Sequence, residues 1–153
     1  MTKHFSKQEL ARCFRETGRC SECRLTQPAM KLPYGIEDNL EGLAKEVLEP
    51  VRERLGKPIV VNSGFRCPIH NRAVGGATGS QHMKGEAADL RFQDSSCKIQ
   101  DLAMAIVDGG KWDQLILYPT FVHVSWKRQG GNRRQILRKT QKGYENVNIN
   151  ELK

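Results

Sequence analysis

At 153 residues the chain is the size of one ordinary domain, with room for a hydrophobic core and little beyond it. Hydrophobic residues make up 38% and charged ones 27%. That composition is globular rather than disordered, and no apolar run approaches the roughly 18 residues a membrane helix needs. The net charge is +8, from 25 Lys and Arg against 17 Asp and Glu.

In chain order, Ser6 to Glu9 reads as a capping box, with Phe5 and Leu10 at the two staple positions around it, so a helix starts there. Residues 18–34 carry Cys20, Cys23, Pro28 and Pro33 and read as an irregular loop. From Asp38 to Leu55 the apolar residues Leu40, Leu43, Ala44, Val47, Leu48, Val51 and Leu55 recur at three and four. That spacing predicts an amphipathic helix ended by Gly56 and Pro58, kinked at Pro50. Ile59 to Ser63 is β-branched and predicts a strand. Cys67 to Val74 reads as a short helix, and Gly75 to Gly79 as a loop. Glu86 to Phe92 predicts a second strand. A helix capped by Ser95 or Ser96 carries Ile99, Leu102, Ala103 and Ile106 on one face and ends at Gly109 and Gly110. Trp112 to Tyr118 and Phe121 to Trp126 predict a hairpin. The expected fold is a single α+β domain with helices packed on a small, mostly antiparallel sheet.

Eight of the last 27 residues are basic (Lys127, Arg128, Arg133, Arg134, Arg138, Lys139, Lys142, Lys153) and two acidic (Glu145, Glu151). That segment holds +6 of the net +8. It reads as a basic C-terminal tail over 139–153, following a domain over 1–138. Such a tail suits an anionic surface; without interleaved aromatics to stack bases, nucleic acid is not the expected partner. The five cysteines, at 13, 20, 23, 67 and 97, form one CxxC and no second pair. Reduced thiols, or one adventitious disulfide, therefore fit better than a structural zinc knuckle. No apolar signal core follows Met1 to His4, so synthesis in the cytoplasm without a signal peptide is expected.

The chemistry concentrates between Ser80 and Phe92. In the strand, Ala88, Leu90 and Phe92 share the core face, which turns Ala87, Asp89 and Arg91 to the other side. His82 lies just before it. In the hairpin, Val122, Val124 and Trp126 share one face and Phe121, His123 and Ser125 the other. Two histidines and an aspartate facing outward from neighbouring strands form a plausible zinc set with a fourth position open, the arrangement of a catalytic ion. Their separations of 7 and 34 residues form no self-sufficient motif.

The run Ser80-x-His82-x-x-Gly85-x-Ala87-x-Asp89, followed by Phe121-x-His123-x-Ser125, resembles the zinc D-Ala-D-Ala metallopeptidase family. The resemblance takes in residues 61–66, 71–77, 112–116 and 132–135. It implies a hedgehog-like fold, one catalytic Zn2+ held by His82, Asp89 and His123, an Arg66 that pairs with the substrate carboxylate, and a substrate-binding hydroxyl on Ser80. It also implies hydrolysis of a D-amino-acid-containing bond in the peptidoglycan stem peptide, of carboxypeptidase or endolysin type. The protein would act as a monomer on the cell wall after release. The alternative is a zinc-containing domain of this fold that is catalytically weak or inactive and binds peptide, cell wall or a protein partner.

One position departs from the family pattern. Pairing Tyr118 with Phe121, Ile116 with His123 and Gln114 with Ser125 puts Tyr118 where a glutamate base is expected. Asp113 is the nearest acid, on the opposite face unless a bulge re-aims it. The base is thus Asp113, a residue from elsewhere such as Glu86, or absent.

Overall fold

The computed structural model describes residues 1–12 and 32–152; Cys13, Cys20 and Cys23, and most of the expected loop, lie outside them. Helix α1 (Lys7–Leu10) opens on the anticipated box. Ser6 Oγ accepts from Glu9 N, and the Glu9 carboxylate accepts from Ser6 N at 2.9 Å, while Phe5 and Leu10 are both buried. The long helix begins two residues before its expected start, as α2 (Ile36–Leu43), and continues to α3 (Glu49–Leu55) through a π-helical turn at Ala44–Leu48. That widened turn lies immediately before Pro50, where the missing N–H and the ring would disrupt a regular helix. The turn bonds Glu49 N back to Ala44 O, and Leu40, Leu43, Ala44, Val47, Leu48 and Val51 all stay buried.

Strand β1 (Ile59–Ser63) and the short helix α4 (Pro68–Ala73) follow, then a 3-10 turn over Gln81–Lys84 and strand β2 (Ala87–Phe92). Helix α5 (Ile99–Gly109) starts later than expected: Ser96 hydrogen-bonds Asp94 instead of capping the helix, and Lys98 holds the cap position without a side-chain bond. Strands β3 (Gln114–Leu117) and β4 (Val122–Ser125) form the hairpin. Then come β5 (Gln135–Thr140) and β6 (Gly143–Asn146), which the sequence reading missed.

The six strands lie in the order β1-β2-β4-β3-β5-β6. All neighbours are antiparallel except β3 and β5, which run parallel. The expected mostly antiparallel sheet is therefore present, with one parallel pair. The residues expected as a basic tail, 139–153, include the end of β5 and the whole of β6. Residue 139 falls inside β5, and Val147 and Leu152 join the hydrophobic core. Ile136 supplies the apolar anchor of β5, while the charged residues around it obscure the strand pattern.

Two cross-strand rows explain the division of labour between the faces. Val61, Leu90, Val122 and Leu117 align in one row, and Ala88, Val124, Leu115 and Ile136 in the next. All eight are in the core cluster beneath the helices, with α5 packed on β2 and β4. Between these rows and facing away from the helices runs a third: Ser63, Asp89, His123, Ile116 and Leu137. A register irregularity between Val61 and Ser63 places Ser63 opposite Asp89.

Gly64 follows β1 at a point of close approach. A Cβ there would clash with the Leu10 carbonyl, which accepts from Phe65 N at 2.6 Å. Gly64→Ala is expected to cost about 2–3 kcal/mol by overpacking against this backbone, as read by urea unfolding; a change within error would show that α1 yields at no cost.

Candidate metal centre and its cleft

Asp89 and His123 face each other across β2 and β4, so the alternation of strand side chains delivers both to one spot. His82 arrives from the 3-10 turn, which Ser80 caps by accepting from His82 N at 3.2 Å. Gly85 ends that turn with φ 71°, a left-handed conformation that suits glycine, and the chain turns from there into β2. His82 Nε2, Asp89 Oδ1 and His123 Nδ1 stand 3.0 to 3.2 Å from one another.

The chemistry of this set fits a divalent cation. His82 Nδ1 lies 2.8 Å from the Gly64 carbonyl, which can only accept, so Nδ1 carries the hydrogen and a neutral His82 presents a bare lone pair at Nε2. Burial holds the His123 imidazole below its ordinary pKa, against the opposing pull of the Asp89 carboxylate, which keeps it neutral near pH 7. Burial alone would raise the Asp89 carboxyl, but the His123 and His82 rings against Oδ1 hold it well below the usual carboxylate range. Two imidazole nitrogens and a carboxylate oxygen thus converge. Zinc bonds of 2.0–2.1 Å in a tetrahedron separate ligand atoms by about 3.3 Å, close to the spacing observed. Among the described residues these three are the group placed to hold a metal.

Asp89 divides its oxygens. Oδ1 meets the two histidines, and Oδ2 takes an ion pair from Arg66 Nη2 at 3.1 Å. Arg66 Nε donates to Ser63 Oγ at 2.9 Å. One edge of the guanidinium is therefore fixed to the sheet, and the rest of the group borders an open cleft of about 620 Å³. The three candidate ligands, Ser80, Tyr118 and Glu86 border the same cleft. Tyr118 N bonds Phe121 O, the two rings stack at 4.2 Å, and burial with the neighbouring Tyr144 hydroxyl pushes the phenol pKa up. Tyr118 is thus a protonated hydrogen-bond donor at neutral pH and no base.

Asp113 occupies a different position. Asp113 N bonds Ser125 O at 2.7 Å while Gln114 N bonds Ser125 Oγ, so two residues of the β3 side oppose one of β4. This bulge re-aims the carboxylate away from the apolar core, but not into the cleft. Asp113 is fully buried. Its oxygens accept from Arg133 N at 2.8 Å, from Arg133 Nε and Nη2, from Gln81 Nε2 at 3.1 Å and from Ser125 Oγ. Burial would raise its pKa; the Arg133 and Gln81 bonds pull it down to about 2. Sequence reasoning missed Arg133 and Gln81, and also the Gly64 carbonyl behind His82. All three stood inside stretches that carry the family resemblance, Gly64 in 61–66, Gln81 in 80–89 and Arg133 in 132–135, but nothing in those stretches marked their partners.

With that geometry in view, a family model described as Peptidase M15 matches residues 3–125. The zinc D-Ala-D-Ala carboxypeptidase of Streptomyces albus G is 54% identical over 44 residues, which is 28% of this chain and 17% of that protein. The chain thus spans about one sixth of the length of this curated relative.

Because Asp113 titrates near 2 when folded and near 3.8 otherwise, its contribution to stability is present above about pH 4 and is lost as pH falls toward 2. Asp113→Asn should lower stability at pH 7 by on the order of 2 kcal/mol and flatten the fall in stability between pH 4 and 2. Urea unfolding across that range checks both; parallel curves for the two proteins would remove the buried carboxylate from the account.

Proposed function

The chain belongs to the peptidase M15 family, and on that premise we propose that it is a zinc metallopeptidase cleaving a D-amino-acid-containing bond in the peptidoglycan stem peptide. The observation that carries this reading is the convergence of His82 Nε2, Asp89 Oδ1 and His123 Nδ1 on one point of an open cleft, with Arg66 beside it. When bound, zinc would polarise the scissile carbonyl and lower the pKa of a coordinated water to about 7.

The chain's own residues supply the rest. Arg66, held at one edge by Ser63 and Asp89, presents its remaining N–H groups to a terminal carboxylate, a planar match that lysine lacks. Ser80 keeps its hydroxyl hydrogen for a substrate acceptor. Tyr118 donates to the carbonyl oxygen as charge develops there. Glu86 is, besides Asp89, the carboxylate that borders the cleft among the described residues, and Gln81 Nε2 donates to it at 3.3 Å. Glu86 would take the proton of the attacking water and return it to the leaving amine as the C–N bond breaks.

The wider reading follows from the same motifs: a hedgehog-like fold, an endolysin or carboxypeptidase role at the wall, a monomer, and basic C-terminal residues that favour an anionic polymer. No helix among the described residues is long and apolar enough to cross a membrane. One observation favours the second reading, a zinc domain that binds without efficient turnover. Tyr118 stands where a carboxylate was expected, and Asp113 is locked under Arg133.

Metal analysis coupled to hydrolysis of D-Ala-D-Ala-terminated peptides and of sacculi tests the proposal. One zinc per chain and chelator-sensitive hydrolysis are expected, and His123→Ala should lose both with modest loss of stability. Stoichiometric zinc retained by that variant, or no hydrolysis by the zinc-loaded protein, would overturn the ligand set or the activity respectively.

Glu86→Gln should keep zinc and fold but lower kcat on the order of a hundredfold, whereas Asp113→Asn should leave the rate per folded molecule nearly unchanged. The opposite ranking would return the base to Asp113.

A further inference from the structure

The match to the family model ends at Ser125, the last residue of β4. Strands β5 and β6 lie beyond it, yet they extend the same sheet and reach the same cleft. Leu137 lies beside Ile116, and Lys139 pairs Tyr144 across β5 and β6, so side-chain alternation puts Tyr144 on the face that bears Asp89 and His123. Tyr144 borders the cleft while remaining 55% exposed. Its hydroxyl lies 3.2 Å from that of Tyr118, and the Lys139 ammonium sits 4.6 Å from its ring centroid. Two phenols in mutual hydrogen bonding use one hydrogen between them, which leaves the other as a donor. An aromatic ring with a cation over one face and a phenol at its hydroxyl is a pre-ordered contact surface.

We propose that Tyr144 is a specificity-determining residue, which with Tyr118 forms the wall of the cleft against which the N-terminal portion of an extended peptide substrate lies. The proposal rests on the peptidase reading, because the direction of the peptide follows from it. Arg66 is held by Ser63 of β1 and Asp89 of β2, the metal ligands come from β2, β4 and the adjoining turn, and Tyr144 stands on β6. A substrate with its carboxylate at Arg66 and its scissile bond at the metal therefore runs toward Tyr144 on its acyl side. From β4 to β6 is three strand spacings, about 14 Å, the length of about four extended residues. The substrate class is thus a peptide with several residues before the scissile bond, not a dipeptide.

The test compares zinc-loaded wild type with Tyr144→Ala and with Tyr144→Thr, which keeps a strand-favouring residue. Both are assayed on D-Ala-D-Ala-terminated peptides of two and of five residues. Both variants should lower the ratio of kcat/KM for the long peptide over the short one by about tenfold, mainly through KM. Calorimetric binding of a five-residue peptide with a reduced, uncleavable bond should weaken in parallel. An unchanged ratio and unchanged binding in folded variants would overturn the role of Tyr144. Failure of the zinc-loaded wild type to hydrolyse any peptide would instead overturn the peptidase reading.

Discussion

A carboxylate stands nearly buried in the middle of this sheet, and the site depends on how that charge is balanced. Asp89 is 8% exposed, and an isolated charge at such a position would be neutralised by a raised pKa. It is instead held ionised, because each oxygen has its own partners: two imidazoles for Oδ1 and Arg66 for Oδ2. Loss of any one partner strands part of a buried ion group, and this couples the candidate ligands to Arg66. Arg66 is therefore a structural counter-ion as well as a candidate substrate contact, and its orientation is set before any ligand arrives.

That balance requires register. Ser63, Asp89 and His123 occupy one row on three adjacent strands, and a slip of one residue in any pair would turn a ligand into the core. The apolar rows on the other face fix the register, since Leu90, Val122 and Val124 are fully buried under the helices. Two departures from regular pairing then adjust single residues. The irregularity in β1 brings Ser63 opposite Asp89, where it can hold Arg66 Nε. The bulge before β3 sends Asp113 to the Arg133 and Gln81 cluster rather than into the core. Gln81 adjoins His82, so the buried Asp113–Arg133 pair anchors the turn that carries a candidate ligand.

Much of this was legible in the sequence, and the failures have physical causes. Alternation in 86–92 and 121–126 placed Asp89 and His123 on the outward face because strand periodicity is strict and the core residues were unambiguous. The capping box at Ser6 and the face of α2 and α3 were equally plain. Strands β5 and β6 were hidden: of Gln135 to Asn146 only Ile136 is buried, and basic residues between them mimic a solvated tail. Pairing to β3 and β6 makes these residues strands, an interaction that local pattern does not report. The role of Asp113 was hidden for a similar reason. Arg133 lies 20 residues away, and nothing in the spacing couples the two.

The same comparison bears on what the C-terminal residues add. A sheet ending at β3 would leave Ile116 and Leu117 at an open edge, which invites pairing with another chain. Strand β5 covers that edge in parallel, β6 closes over β5 with an exposed face rich in polar and charged groups, and the final 3-10 turn, Ile149–Leu152, packs back toward α5. The price of edge protection is a run of basic residues near the cleft, and part of that charge is consumed: Arg133 pairs with Asp113, and Lys139 lies over Tyr144. Lys84 and Lys127 still border the cleft, as does Glu86. A cleft with this excess of cations, before any metal is counted, attracts anionic groups by simple Coulomb attraction. Of the two lysines, Lys127 follows β4 and Lys84 belongs to the turn that carries His82, so the remaining charge of the cleft comes from both sides of the hairpin rather than from β5 and β6.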